Sequence, residues 1–314
     1  MSETSTDATA IPAKGGRTLS RQTKGTVLVA LAVLWQGVGT AVVGATVPPE
    51  LSTFTTFAAF LTAAALAGAA FTWRRRGTSA VVRKTPRLPL RDVVVINLLT
   101  AGAFSAFYVA ATLIPPTAAS VIETGLGPVA VSVALMFSGA AGRARFAHPL
   151  VVLGVSAGVA YLVMSLAGSH TDATAVGIAL SVLAGCCAAG VLLNSSRLSG
   201  RGVTALHISA VRFHLAWVLS GLIALPIVTR LLPDHPGELV SAAVVGVFCI
   251  AAPILLLQWG ITIAHPVHSA LVISTLPAVV LIGDLILGAP AHPALLVGMA
   301  VLVAISLMGV LRRT

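Results

Sequence analysis

Charged residues are scarce in this chain. Only 9% of its 314 residues are Asp, Glu, Lys or Arg, whereas 57% are hydrophobic. Soluble domains carry about 25% charged residues. So few polar side chains cannot cover an apolar core with a solvated surface, which excludes an ordinary soluble enzyme or binding domain. The composition is typical of a protein whose solvent is the lipid bilayer.

Cysteines and nucleotide motifs are equally sparse. The three cysteines, Cys186, Cys187 and Cys249, show neither a disulfide framework nor metal-ligand spacing. No GxxxxGK[ST] loop occurs, which argues against an ATP-driven pump. A membrane enzyme would need clustered carboxylates or a His/Asp set, and a sensor would usually carry a soluble output domain. We therefore expect no metal, no cofactor and no catalysis, and keep a non-transport membrane protein as the alternative.

Apolar runs long enough to cross a bilayer, about 20 residues each, occur ten times. They lie at about 27–47, 51–73, 92–114, 116–138, 149–168, 174–194, 204–229, 239–261, 267–288 and 292–311. The Pro48-Pro49 and Pro115-Pro116 turns separate runs that would otherwise merge. The sequence predicts ten membrane spans, numbered here in chain order.

The basic residues predict the orientation of these spans. Seventeen of the 19 Lys and Arg residues fall before the first span, after the last, or in alternate loops. Arg230 lies in an opposite loop and Arg212 within span seven. By the positive-inside rule both termini are expected in the cytoplasm, with the protein in the cytoplasmic membrane. The net charge of +10 flanks apolar spans, so we expect no nucleic-acid partner. Residues 1–26 are expected to form a disordered cytoplasmic tail.

The chain contains an internal duplication with a period near 150 residues. Aligning Pro128 with Pro277 also aligns Ser120 with Ser269, and apolar runs of matching length flank both prolines. The two copies, 27–168 and 174–311, would hold five spans each. An odd number of spans makes the second copy insert upside down, as in transporters whose halves alternate around a central site. The predicted fold is an all-α integral membrane protein of two inverted five-helix repeats.

Polar side chains inside the spans are the candidate site residues, because charge near the bilayer centre costs about 2.5–3.5 kcal/mol. Glu123 lies about 10 Å deep in span four, before Gly127-Pro128, where the helix is expected to bend. It is either a proton-titratable or cation-attracting site or a carboxyl tied to a neighbouring helix. Arg212 is interpreted as an anchor whose stem reaches the inner interface, and it stays a candidate cavity residue.

Six further candidates would line a pocket with these two. Trp35 and Gln36 of span one, with Gln258 and Trp259 of span eight, are expected to share one pocket near the midplane. Asn97 and Tyr108 of span three can join them, or each can serve as contact between helices. Gly154 and Gly158 in span five are interpreted as a close helix-packing pair.

The pattern resembles the drug/metabolite transporter superfamily, EamA type. The segments that carry the likeness are "TALHISAVRFHLAWVLSGL", with its Arg212-Phe213, and "HSALVISTLPAVV". The likeness covers about 27–311 and implies a central cavity lined by spans one, three, four, six, eight and nine. It also implies transport of small metabolites, amino acids or drugs, often outward. Protons are a second candidate partner, because Glu123 is a candidate proton-titratable site. The Glu that the family often places after a Gly at the ends of spans four and nine is absent here.

Overall fold

A computed structural model of the chain describes residues 20–77, 88–137, 146–168, 172–290 and 292–312. Ten of its helices are long and apolar enough to cross a membrane. The spans are Arg21–Thr46, Pro49–Arg76, Leu90–Leu113, Pro116–Phe137, Ala147–Leu166, Ala173–Gly200, Ala205–Leu231, Pro236–Ile261, Pro266–Ile286 and Pro293–Leu311. The predicted all-α membrane fold with ten spans is confirmed.

Span one begins earlier than predicted. The expected disordered tail extended to residue 26, whereas the helix starts at Arg21. Ser20 caps it by accepting a hydrogen bond from the Thr23 N–H at 3.1 Å, and this satisfies one of the donors that a helix start leaves free. Hydropathy marks only the apolar part of a helix, so it misses a polar first turn. Residues 1–19 of the predicted tail lie outside the described residues.

Small residues let the spans approach one another closely. At Gly25 an added Cβ would lie 2.5 Å from the Ala264 nitrogen, and at Gly246 it would lie 2.5 Å from the Thr55 oxygen. Glycine is therefore required where span one meets the turn after span eight and where span two crosses the middle of span eight. The expectation for Gly154 and Gly158 was wrong, because a Cβ at either position meets nothing within 4 Å.

The pairing of the spans has a twofold pattern. Span three packs on span six as span eight packs on span one, and span four packs on span six as span nine packs on span one. The pairs two with seven, four with nine and five with ten also pack, each joining a span to its counterpart in the other half. This is the pairing that two related halves would give, and the inverted duplication itself stays a prediction.

Three spans of the second half are irregular. Span seven is interrupted at Phe213, between the helices Ala205–Arg212 and His214–Leu231. Span eight contains a π-helical turn over Val247–Ala251, and span nine breaks at Ser274 and Thr275. In the first half, span four runs as one helix through Pro128. The bend expected at Gly127-Pro128 therefore does not break the helix, and the break lies instead beside the aligned Pro277.

Candidate functional site

Asn97 of span three holds the break in span seven. Its Nδ2 donates to the Val211 backbone oxygen at 2.6 Å, and its Oδ1 accepts from the Leu215 N–H at 3.0 Å. The Val211 carbonyl lies at the end of the first helix of span seven, and the Leu215 N–H lies at the start of the second. Backbone groups at these positions have no hydrogen-bond partner within their own helix. The same Nδ2 also donates to the Val93 oxygen at 2.9 Å. Asn97 thus forms a contact between helices, one of the two roles considered for it, and its role in a pocket stays a prediction.

Replacing Asn97 with leucine is expected to destabilise the folded protein. The substitution leaves the buried Val211 oxygen and Leu215 N–H unpaired, at a cost of about 1–3 kcal/mol for each group. The measurement is thermal unfolding of the purified protein in detergent. Asn194→Leu is the matched control, since Asn194 is equally buried and its Nδ2 has no hydrogen-bond partner. Equal unfolding temperatures for the two variants would contradict the role given to Asn97.

Arg212 is the last residue of the first helix of span seven, and its side chain turns into the protein. It is 6% exposed, so the predicted extension to the inner interface is wrong. Its Nη1 donates to Oε1 of Gln258 in span eight, and its guanidinium lies 4.6 Å over the Phe213 ring. The C-terminal end of a helix favours a positive charge because of the helix dipole. The Phe213 ring adds a cation–π contact with the guanidinium. The structure therefore joins two of the predicted site residues.

The structure does not place the predicted pocket residues at one level. Gln36 lies near the middle of span one, whereas Gln258 lies three residues before the end of span eight. Gly260 packs against Val29, and Gln36 is seven residues beyond Val29, about 10 Å along the helix. The sequence suggested a shared midplane because the apolar run alone does not reveal where span eight meets its neighbours.

The two tryptophans of the predicted pocket are exposed side chains. Trp35 is 45% exposed and shares its helix face with Leu31 and Val38, which are 50% and 51% exposed. Trp259 is 57% exposed, although the adjacent Gln258 is fully buried. Exposed apolar stripes of this kind suit contact with lipid as well as a cavity. The assignment of both indoles to a substrate pocket stays a prediction.

Glu123 and Tyr108 lie on adjacent spans, both towards the end of the bundle opposite to that of Arg212. The Tyr108 hydroxyl is hydrogen-bonded to the Thr56 hydroxyl at 3.0 Å. The Glu123 backbone oxygen would lie 2.6 Å from a Cβ at Gly185 of span six, so the two helices touch there. Among the residues that the structure describes, none donates a hydrogen bond to the half-buried Glu123 carboxylate. The alternative that the carboxyl is tied to a neighbouring helix therefore has no bond to support it.

Sequence reasoning missed the polar contacts of span six. Asp92, at the start of span three, pairs with Arg197 at 2.8 Å and with Arg201 at 3.1 Å. The Ser199 hydroxyl donates to the Thr262 backbone oxygen at 2.7 Å. These bonds hold the end of span six against spans three and eight. The charge pattern alone assigned Arg197 and Arg201 to orientation and gave no sign of their shared partner.

No metal centre is found in the described part of the chain, where no three His, Cys, Asp or Glu side chains cluster suitably. His265 and His268, which the sequence places in one short motif, have ring centroids 5.4 Å apart. His268 is buried within span nine rather than in a loop. The described site therefore contains the buried Arg212 guanidinium with amide and hydroxyl groups, and the Glu123 carboxylate as a separate feature.

The comparisons with known proteins agree with this architecture. No curated protein sequence matches the chain. A solved structure described only as "Crystal structure of protein" is similar in fold, with 20% identity and a TM-score of 0.65 over 94% of this chain and 97% of that one. The model of the EamA-like transporter family matches residues 175–311. The chain is thus a multi-pass membrane protein whose residues 175–311 are similar to the EamA-like transporter family, in agreement with the predicted resemblance to the drug/metabolite transporters.

Proposed function

We propose that the chain is a secondary transporter that moves a small metabolite, amino acid or drug across the cytoplasmic membrane by alternating access. One observation carries the proposal. Spans seven and nine are interrupted within the membrane-spanning region, and span eight contains a π-helical turn. Irregular backbone at that depth is tolerated where it lies within protein or lines a cavity. Discontinuous helices of this kind form the substrate sites of many secondary transporters.

The pairing of the spans supports the same mechanism. Because spans four and nine, and spans two and seven, pack on one another, the two halves meet along their counterparts. A tilt of one half against the other would then open one end of the bundle as it closes the other. The bonds of Asp92 and Ser199 join spans three, six and eight at one end of the bundle, the end that the basic residues predict to be cytoplasmic. A substrate or ion gradient supplies the energy, since no nucleotide-binding loop is present in the sequence.

The test is transport by purified protein in liposomes. Vesicles are loaded with pooled amino acids, nucleotide precursors and drugs, with and without an imposed pH gradient. We expect at least one solute to leave faster than from protein-free vesicles. Equal loss of every solute from both vesicle types would contradict transport. Chemical conversion of a solute without its movement would favour the membrane-enzyme alternative.

The orientation carries a separate prediction. With both termini cytoplasmic, Arg76 lies at the inner end of span two and Asp234 in an outer loop. The three native cysteines are first replaced by serine, and Arg76→Cys or Asp234→Cys is then introduced. In intact cells we expect an impermeant thiol reagent to label the variant at Asp234 and to leave the variant at Arg76 unlabelled until the cells are opened. Labelling at Arg76 in intact cells would reverse the assignment.

A further inference from the structure

Arg212 and Gln258, which contact each other, each have an unpaired polar atom. Nε of Arg212 and Nε2 of Gln258 are buried and have no hydrogen-bond partner. Both atoms carry N–H groups, and neither can accept a hydrogen bond. Unpaired buried donors each cost free energy that a suitable acceptor would recover. The site therefore lacks an acceptor rather than a donor.

Ser195 of span six adds a third unpaired group. Its side chain is fully buried and its hydroxyl has no partner. Ser199 donates to the Thr262 oxygen, and spans six and eight cross the bilayer in the same direction. One helical turn earlier on both helices, Ser195 and Gln258 therefore lie level with each other. The hydroxyl can donate to the same acceptor.

The charge at this position is uncompensated. In the described part of the chain, no carboxylate lies within ion-pairing distance of the Arg212 guanidinium, and Asp92 is engaged with Arg197 and Arg201. A buried cation without an anion is costly. An intramembrane charge of this kind marks a ligand or ion pathway more often than a packing contact.

We propose that Arg212, Gln258 and Ser195 bind the carboxylate group of the transported substrate, which assigns the substrates to organic carboxylates, amino acids among them. The proposal rests on the transport function proposed above. A carboxylate offers up to four acceptor positions and suits the planar guanidinium, whose N–H groups match it in pairs. The Arg212, Gln258 and Ser195 cluster lies one helical turn deeper in the bundle than the Ser199–Thr262 contact. A ligand that enters from the Ser199 end therefore requires spans six and eight to separate.

The experiment is binding to the purified full-length protein in detergent, followed by saturable thermal stabilisation. The probes are the common amino acids together with acetate, lactate and benzoate, each compared with its uncharged amide. Chloride and inorganic phosphate form a third group. We expect at least one carboxylate to stabilise the wild-type protein and its amide to fail. Arg212→Gln should weaken that binding by about tenfold to a hundredfold, the value of a hydrogen-bonded charge, and Arg212→Lys should weaken it less.

Ser195→Ala separates binding from folding. Because the hydroxyl has no partner in the free protein, its removal should leave the unfolding temperature unchanged or higher while carboxylate binding falls severalfold. Ser181→Ala is the matched control on the same helix, since Ser181 is fully buried and donates to the Gly177 oxygen at 2.9 Å. That control should keep wild-type carboxylate binding.

Any one of the following results would overturn the proposal. They are binding of amides as tightly as carboxylates, retention of carboxylate binding in Arg212→Gln, and stabilisation by chloride or phosphate alone. Failure of every carboxylate to stabilise the wild-type protein would overturn it as well. If the vesicles described above still transport a neutral or cationic solute, the transport function stands and only the assignment of substrate class fails.

Discussion

Glu123→Gln is expected to leave the protein folded and to abolish the pH dependence of its transport. Glutamine has nearly the volume of glutamate and mimics its protonated form, and no described donor loses a bond to the carboxylate. The free energy of unfolding should therefore change by less than about 1 kcal/mol. If protonation of Glu123 controls transport, the variant should keep the rate of the protonated wild-type protein at every pH. The measurement is transport into liposomes from about pH 5 to about pH 8.

Two variants serve as controls for this prediction. Glu123→Asp keeps a carboxyl group and should retain a pH-dependent rate. Glu50→Gln removes an exposed carboxylate from the first turn of span two and should behave as the wild-type protein does. If Glu123→Gln follows the wild-type pH profile, Glu123 is a packing residue and its interpretation as a proton-titratable site is wrong.

Gly39→Ala is expected to cause a large loss of stability. A Cβ at this position would lie 2.6 Å from the Cys249 oxygen and 2.9 Å from its Cα. These are backbone atoms that no side-chain rotation can move, so spans one and eight must separate. Overpacking of this kind costs about 1–3 kcal/mol. The measurement is the unfolding temperature of the purified protein.

Gly44→Ala is the matched control in the same helix. An added Cβ at Gly44 meets nothing within 4 Å, and alanine stabilises an open helical position by about 0.4–1 kcal/mol. The same chemical change should therefore have opposite signs at two positions five residues apart. A stable Gly39→Ala variant would show that the crossing of spans one and eight is looser than its geometry indicates.

The spans could be predicted from the sequence because each depends on a local property, an apolar run of sufficient length. Their interruptions depend on distant partners. Nothing near Phe213 signals a break, and the residue that stabilises it, Asn97, lies more than 110 positions earlier in the chain. Pro128 and Pro277 have similar local sequences, yet only the helix near Pro277 is broken. Tertiary contacts decide between these outcomes.

The candidate site could be predicted only in part, because it too depends on contacts between distant residues. Arg212 and Gln258 stood out individually as polar residues in apolar spans, but their pairing joins helices that are 46 positions apart in sequence. Trp259 was predicted to share the environment of Gln258, but a step of one residue along a helix rotates the side-chain direction by about 100°. Ser195 was not a candidate, because a serine within a span is common and only its lack of a partner distinguishes it.

The uneven distribution of helix interruptions has a mechanical consequence. Spans two, three and four of the first half are continuous rods after their first turns, whereas spans seven, eight and nine each contain a joint. A joint bends without rupturing a run of backbone hydrogen bonds, so elastic deformation concentrates in one half of the molecule. The first half then acts as a stiff frame, and the second half supplies the compliance. A substitution that makes the helix of span seven continuous at Phe213 would leave the bending to the irregular segments of spans eight and nine.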